Sequence, residues 1–190
     1  MTTPNSPLES RKAVRYLRAA DPVLRTVIDA VGPFSLQLEP SQFRMLVRSI
    51  ISQQISTKAA RAIHKRVQGL VKPRLITAEN LSRFSTDELR SAGLSPQKIR
   101  YIIDLTEKVT SGELKLRRPG RLPDEEIIEQ LIVVKGIGRW TAQMFLMFCL
   151  GRLDVFPHDD LGIRSAIKRL YELDELPDKT SAIRIATPWR

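Results

Sequence analysis

Glycines and acidic residues stand in two neighbouring segments of the chain, where they could act on a phosphate-bearing molecule. Gly136 and Gly138 bracket one apolar residue between two segments of helical pattern. Such glycines allow positive φ angles and expose N–H groups at a helix N-terminus, where the helix dipole favours phosphate. Asp159 and Asp160 then precede a further helical segment. The pattern therefore predicts a phosphate-binding site, followed a short distance along the chain by an acidic group.

Basic residues around the glycine turn strengthen this interpretation. Lys135 precedes the first glycine and Arg139 follows the second. A Gly-x-Gly sequence alone is also typical of an ordinary helix-to-helix turn, and the basic flanks favour phosphate binding over that alternative. The predicted phosphate-binding residues are Lys135, Gly136, Gly138, Arg139 and Thr141.

Composition limits the classes of protein to which the chain can belong. Among its 190 residues, Lys and Arg outnumber Asp and Glu by 31 to 21, and the net charge of +10 favours a polyanionic partner. The single cysteine, Cys149, excludes an intramolecular disulfide and an iron–sulfur cluster held by cysteines of this chain. No apolar run is long enough to span a membrane, and Met1–Ser6 lacks the apolar segment of a secretory leader. We expect an intracellular protein without a membrane partner.

Helical periodicity dominates the sequence, and no segment alternates convincingly as a strand would. Ser41 precedes apolar residues that recur with the spacing of one helix face, and Ser95-Pro96 has the signature of a helix start. We therefore predict an all-α, two-lobed helical bundle. Residues 1–40 are expected to form an N-terminal helical segment, and residues 41–190 a core of two lobes.

Two segments resemble a known family. The chain resembles the helix-hairpin-helix DNA glycosylase superfamily at Leu131–Ala142, which reads LIVVKGIGRWTA, and at Val155–Gly162, which reads VFPHDDLG. The second segment is similar to the one that carries the superfamily's catalytic aspartate. Within the superfamily, the chain is most similar to the 3-methyladenine DNA glycosylase II (AlkA-like) branch. Further similarity lies in Leu46–Ser56, Gly93–Tyr101 and Pro188–Arg190.

The resemblance extends from about Gln42 to the C-terminus and implies a helix-hairpin-helix fold. Too few residues precede Gln42 for the β-rich N-terminal lobe of some relatives, so we expect a fold lacking that lobe. The chain also stops at Pro188-Trp189-Arg190, where relatives continue into another aromatic-bearing helix. We therefore expect either that part of the base pocket is absent or that the sequence is truncated at its C-terminus.

The resemblance implies a catalytic role for Asp160. A carboxylate can stabilise the oxocarbenium-like sugar that forms when an N-glycosidic bond breaks, and it can orient or deprotonate the attacking water. Asp159 is then a neighbour that could cap the following helix. The alternative interpretation makes both carboxylates simple helix N-caps, which the helix dipole also favours.

Trp140 stands where the bifunctional glycosylase/lyase branch carries a nucleophilic lysine. An indole cannot form a Schiff base, so the resemblance implies a monofunctional enzyme with water as the nucleophile. The same ring could stack on a cationic alkylated purine in the base pocket. Burial in the core is the alternative interpretation of this tryptophan.

Gln53 and Gln54 interrupt an apolar helical stripe. In the family this segment supplies the side chain that fills the gap left by a flipped-out nucleotide, and Gln54 matches that role best. A solvated helix end is the alternative. The resemblance also suggests a monovalent cation that bridges hairpin carbonyls to a DNA phosphate, at Ile132, Val134 and Ile137.

Two functions of different classes follow. The first is a monofunctional DNA glycosylase that hydrolyses the N-glycosidic bond of alkylated purines, of the 3-methyladenine type, in base excision repair. The second is a non-catalytic helix-hairpin-helix module that binds DNA. A glycosylase/lyase for oxidised bases is disfavoured by Trp140 and by the lack of cluster cysteines. For the glycosylase we expect a monomer acting on double-stranded DNA with alkylated bases, and no required cofactor besides that candidate cation.

Overall fold

The computed structural model describes residues 7–116 and 122–190, so Met1–Ser6 and the turn at Pro119-Gly120 lie outside the described residues. Within those ranges no strand occurs, and this confirms the all-α prediction. The helices are, in chain order, α1 (Pro7–Ala20), α2 (Pro22–Val31), α3 (Gln42–Ser52), α4 (Thr57–Val71), α5 (Ala78–Leu81), α6 (Thr86–Ser91), α7 (Pro96–Thr110), α8 (Asp124–Ile132), α9 (Arg139–Phe148), α10 (Leu161–Leu170), α11 (Lys179–Ala186) and a final 3₁₀ helix (Thr187–Trp189). Each of these described helices is too short or too polar to cross a bilayer.

The helices form two compact units, and the division between them falls inside α9. Unit 2 is continuous, from Glu39 to Phe145, whereas unit 1 combines the chain up to Leu38 with Leu146–Arg190. The N-terminal helices α1 and α2, predicted as part of a segment of their own, are therefore grouped with the C-terminal helices of the chain.

A buried carboxylate explains why distant parts of the chain share unit 1. Oδ1 of Asp21 caps α2 by accepting the N–H groups of Val23 and Leu24 at 2.8 and 3.0 Å. Oδ2 accepts the Tyr171 hydroxyl at 2.5 Å and the Trp189 indole N–H at 2.8 Å. Burial raises the pKa of the Asp21 carboxyl, but the four hydrogen bonds outweigh burial and hold this pKa below its ordinary value. The carboxylate thus joins α2 to the C-terminal segment.

Unit 2 is organised around α7, which packs against α3, α5 and α6. The caps of α3 and α7 are the predicted serines, since Ser41 accepts the N–H of Arg44 and Ser95 that of Lys98. The apolar stripe of α3 is buried as predicted, and it consists of Phe43, Leu46, Val47, Ile50 and Ile51. This core supports the loop that follows α3 and the hairpin that precedes α9.

Candidate functional site

The hairpin between α8 and α9, residues 133–138, depends on one glycine for its shape. Gly136 has φ +82°, and a Cβ there would lie 2.5 Å from Cγ of Tyr101 and closer still to two other ring atoms. Only glycine suits both the backbone angle and the approach of the ring. Gly138 has no positive φ, and a Cβ there would meet nothing within 4 Å. The expectation of positive φ is therefore wrong for Gly138, which instead leaves space open at the start of α9.

Buried apolar side chains anchor the hairpin. Val134 and Ile137 are buried, and the N–H of Ile137 donates to the Val134 carbonyl at 3.0 Å. Ile132 is largely exposed. A carbonyl oxygen has two lone pairs, so one hydrogen bond to Val134 leaves capacity for a cation. The backbone cation site stays a prediction, and within residues 7–116 and 122–190 no cluster of His, Cys, Asp or Glu side chains is arranged to hold a metal.

The basic residues in the hairpin and directly after it each face a carboxylate. The backbone N–H of Lys135 donates to Asp104 at 2.8 Å. The Lys135 side chain is 74% exposed, and its Nζ lies 3.6 Å from the same carboxylate. Arg139 donates two hydrogen bonds of 2.6 Å to Glu125, and this contact lowers the pKa of the Glu125 carboxyl. The Arg139–Glu125 pair is exposed and therefore weak, so a phosphate could replace the carboxylate. Thr141 is buried, so its role in phosphate binding stays a prediction.

The loop after α3, residues 53–56, is tied to the hairpin through Gln53. Nε2 of Gln53 donates to the carbonyl of Gly136 at 2.7 Å. Gln54 follows with φ +57°, an angle uncommon for a residue with a side chain, and it is exposed. Strained backbone of this kind clusters at functional sites. Unit 2 thus brings the predicted intercalating residues beside the hairpin, with Gln53 engaged and Gln54 presented to solvent.

A buried lysine fixes the last turn of α3. Nζ of Lys98 donates to the carbonyl of Ile51 at 2.7 Å, where the helix dipole also favours a cation. Desolvation lowers the pKa of the Lys98 ammonium group. Lys98 lies in the Gly93–Tyr101 segment of the family resemblance, and its contact supports the loop 53–56 from within unit 2.

Trp140 lies in the first turn of α9 and is 43% exposed. This exposure excludes the alternative of a fully buried core tryptophan. A partly exposed indole is suited to stacking on a planar ring. The role in base binding stays a prediction.

Asp160 caps α10 in unit 1. Its Oδ1 accepts the N–H of Ile163 at 2.9 Å, and its own N–H donates to the carbonyl of Pro157 at 2.9 Å. A Cβ at Gly162 would lie 3.0 Å from Oδ1, so the missing side chain leaves room for the carboxylate. The cap and the catalytic interpretation thus fall on the same residue, whose carboxylate is held in place by its own helix.

Asp159 does not cap this helix, so that expectation is wrong. Its Oδ1 lies 3.1 Å from Nδ1 of His158, and its side chain is about half exposed. His158, which lies in the turn before α10, is buried. The two adjacent carboxylates therefore occupy different environments, one at a helix start and one beside an imidazole.

An aromatic cluster in unit 1 has no counterpart in the sequence predictions. The ring of Trp189 lies edge-on to Phe156 with centroids 5.7 Å apart, and 6.3 Å from the ring of Tyr171. Phe156 belongs to the segment that leads to Asp160, and Trp189 to the Pro-Trp-Arg ending. The hydrogen bond from Trp189 to Asp21 orients the indole, and no sequence spacing connects these residues.

The sequence and this fold both match proteins of DNA repair. A family model described as HhH-GPD superfamily base excision DNA repair protein matches residues 47–190, a range that contains every candidate residue above. The chain is 33% identical over 187 residues to DNA-3-methyladenine glycosylase 1 of Schizosaccharomyces pombe, and the match covers 94% of this chain and 82% of that protein.

Two solved structures have closely similar folds. The crystal structure of a DNA-3-methyladenine glycosidase from Bacillus halodurans matches with a TM-score of 0.84 and 40% identity, over 99% of this chain and 84% of that one. The S. pombe 3-methyladenine DNA glycosylase in complex with abasic DNA matches with a TM-score of 0.83 and 32% identity, over 94% of this chain and 89% of that one.

Proposed function

Because the chain belongs to the HhH-GPD superfamily of base excision DNA repair proteins, we propose that it is a monofunctional DNA glycosylase that excises alkylated purines from double-stranded DNA. Relatives named as DNA-3-methyladenine glycosylases support a hydrolase of this class. The observation that carries the proposal is the Asp160 carboxylate, held at the start of α10 by the Ile163 amide with Gly162 leaving room beside it. We propose that the protein acts as a monomer.

Asp160 supplies negative charge in the proposed reaction. As the bond between C1′ and the base nitrogen breaks, positive charge develops on the sugar, and a carboxylate opposes it. Water then forms the new C1′–O bond and loses a proton to the carboxylate or to solvent. The alkylated base leaves with the bonding electron pair. It is a good leaving group because it carries a positive charge, which this electron pair neutralises. The Ile163 hydrogen bond keeps the carboxylate from rotating away.

The hairpin and the loop 53–56 bind the DNA in this proposal. A phosphate approaches the open start of α9 at Gly138, with the exposed ammonium group of Lys135 nearby in the sequence. Gln54 enters the gap left by the flipped nucleotide, and Gln53 keeps the loop attached to the hairpin. The hairpin carbonyls of Ile132, Val134 and Ile137 would hold the monovalent cation, which would supply positive charge toward the DNA backbone.

Trp140 determines the product that we propose. Its indole stacks on the cationic base, and it has no amine that could attack the sugar. The proposed product is therefore an intact abasic site, and borohydride present during turnover should trap no protein–DNA adduct. A trapped adduct would contradict the monofunctional assignment.

The test compares Asp160→Asn with Asp159→Asn on duplex DNA that contains methylated purines. Asn is as good an N-cap as Asp, so Asp160→Asn keeps α10 but loses the charge. We expect release of free bases, measured by chromatography, to fall by about 10²–10³ or more, as for other electrostatic catalytic groups. Binding of an abasic duplex should be preserved, and Asp159→Asn should keep most of the activity.

Two results would contradict the proposal. Unchanged base release by Asp160→Asn would exclude this residue as the catalytic carboxylate. Binding of duplex DNA without release of any alkylated base by the wild type would favour the non-catalytic binding module.

A further inference from the structure

A basic cavity in unit 2 lies beside the loop 53–56 but outside the groups described so far. It is formed between α3 and α4 and has a volume of about 280 Å³. Ser52 and Thr57, which flank the loop on either side in the sequence, both line it. Its other polar lining residues include Arg48, Arg61, His64 and Lys65.

Three cationic side chains line this cavity without forming an ion pair, although Arg48 acts at longer range on the Glu39 carboxyl, whose pKa it helps to lower. No carboxylate contributes to its wall, and Arg48, Arg61 and Lys65 form no ion pair with any residue that the structure describes. The neighbouring Arg44, by contrast, is paired with Glu39. Convergent positive charge of this kind is relieved by a bound anion, and arginine favours the oxygen geometry of phosphate.

His64 gives an independent indication of a missing partner. Its Nε2 is buried and has no hydrogen-bond partner among the described residues, although buried polar atoms are generally paired. Burial lowers the pKa of His64, as do Arg48 and Arg44, while Glu39 opposes them. An imidazole can carry a proton on Nε2 for donation to an anion's oxygen.

We propose that the cavity between α3 and α4 binds a backbone phosphate of the substrate DNA, separate from the phosphate at the hairpin. Gln53 ties the loop 53–56 to the hairpin, and Ile55 of the same loop lines the cavity. Two phosphate contacts then hold the duplex on both sides of the residue that enters it. This inference rests on the proposed function, because it takes duplex DNA as the ligand.

The test uses the pair Arg61→Gln/Lys65→Gln and a matched control pair, Arg74→Gln/Arg90→Gln. The control residues are exposed, do not line the cavity and form no ion pair with described residues, so both pairs remove the same charge. Binding to an abasic duplex is measured as a function of salt. We expect the slope of log K against log salt to fall by about 1 in the cavity pair, the value for one phosphate contact, and by less in the control.

Duplexes that carry one neutral methylphosphonate linkage at each position in turn locate the contact. The wild type and the control pair should lose affinity when the phosphate in the cavity is neutralised, and the cavity pair should be insensitive at that linkage alone. Nuclear magnetic resonance adds a second readout, since a phosphate at Nε2 should raise the pKa of His64 when DNA binds. Equal salt slopes in the two pairs, with no linkage at which they differ, would overturn the proposal.

The outcome is separable from that of the proposed function. Base release with no linkage-specific difference would overturn the cavity assignment and leave the glycosylase intact. A linkage-specific difference without base release would support the cavity as a DNA contact while contradicting the enzyme. Binding of inorganic phosphate at His64 without any effect on DNA affinity would also overturn the DNA assignment.

Discussion

Replacement of Gly136 by alanine should destabilise the protein by an amount that can be worked out from two separate effects. The backbone at Gly136 has φ +82°, and a left-handed conformation costs a residue with a Cβ about 1–2 kcal/mol. The new methyl group would also overlap the ring of Tyr101, and overpacking costs about 1–3 kcal/mol. The sum of about 2–5 kcal/mol is a large part of the roughly 5–15 kcal/mol that stabilises a typical domain.

Gly138→Ala is the matched control, two positions along the same hairpin. A Cβ there meets nothing within 4 Å and φ is not positive, so stability should stay within about 0.5 kcal/mol of the wild type. The methyl would nevertheless occupy space at the start of α9, where we propose that a phosphate binds. Gly138→Ala should therefore weaken DNA binding without loss of stability, whereas Gly136→Ala should impair both.

Tyr101→Ala separates the two effects at Gly136. Without the ring, alanine at position 136 keeps the unfavourable φ but loses the overlap, so the double variant should be more stable than the sum of the single changes predicts. We expect a favourable coupling of about 1–3 kcal/mol in a double-mutant cycle measured by urea unfolding. A Gly136→Ala protein as stable as the wild type, or a cycle without coupling, would refute this reasoning.

Two further predictions concern unit 1. Gly162→Ala places a methyl 3.0 Å from Oδ1 of Asp160, so base release in a single turnover should slow. Affinity for an abasic duplex and unfolding stability should be kept. An undiminished rate would show that the position of the Asp160 carboxylate is not critical. Asp21→Asn removes a carboxylate whose pKa is lowered in the fold, and such a group stabilises the protein above its ordinary pKa of 3.8 and loses that effect as pH falls through the folded value. Urea unfolding should therefore show Asp21→Asn to be less stable than the wild type at neutral pH but less sensitive to acidification below pH 3.8. An equal loss of unfolding free energy in the two proteins as pH falls would contradict this prediction.

The helices were predictable where local rules determine them. Ser41 and Ser95 are caps whose partners lie three residues away, and the stripe that follows Ser41 repeats with the period of a helix. The turn between two helices at the hairpin was predictable in the same way, from its two glycines and the basic residues beside them. Such features need no knowledge of which distant segments meet.

The parts that sequence could not predict all depend on contacts between distant residues. Gly136 needs to be glycine partly because Tyr101 approaches it, and Gln53 is engaged by the carbonyl of Gly136. In each case periodicity indicates an element but not its partner.

The discontinuity of unit 1 has a consequence for synthesis on the ribosome. Asp21 and Trp189, which are hydrogen-bonded in the finished protein, are 168 residues apart in the chain. At about 5–20 residues per second, on the order of ten seconds or more separates their appearance. Glu39–Phe145 is contiguous and can fold while translation continues. During that interval the Asp21 carboxylate has only its local partners, the N–H groups of Val23 and Leu24, and lacks Tyr171 and Trp189. Chaperones that bind early-emerging helices therefore have a defined window in which to act on this protein.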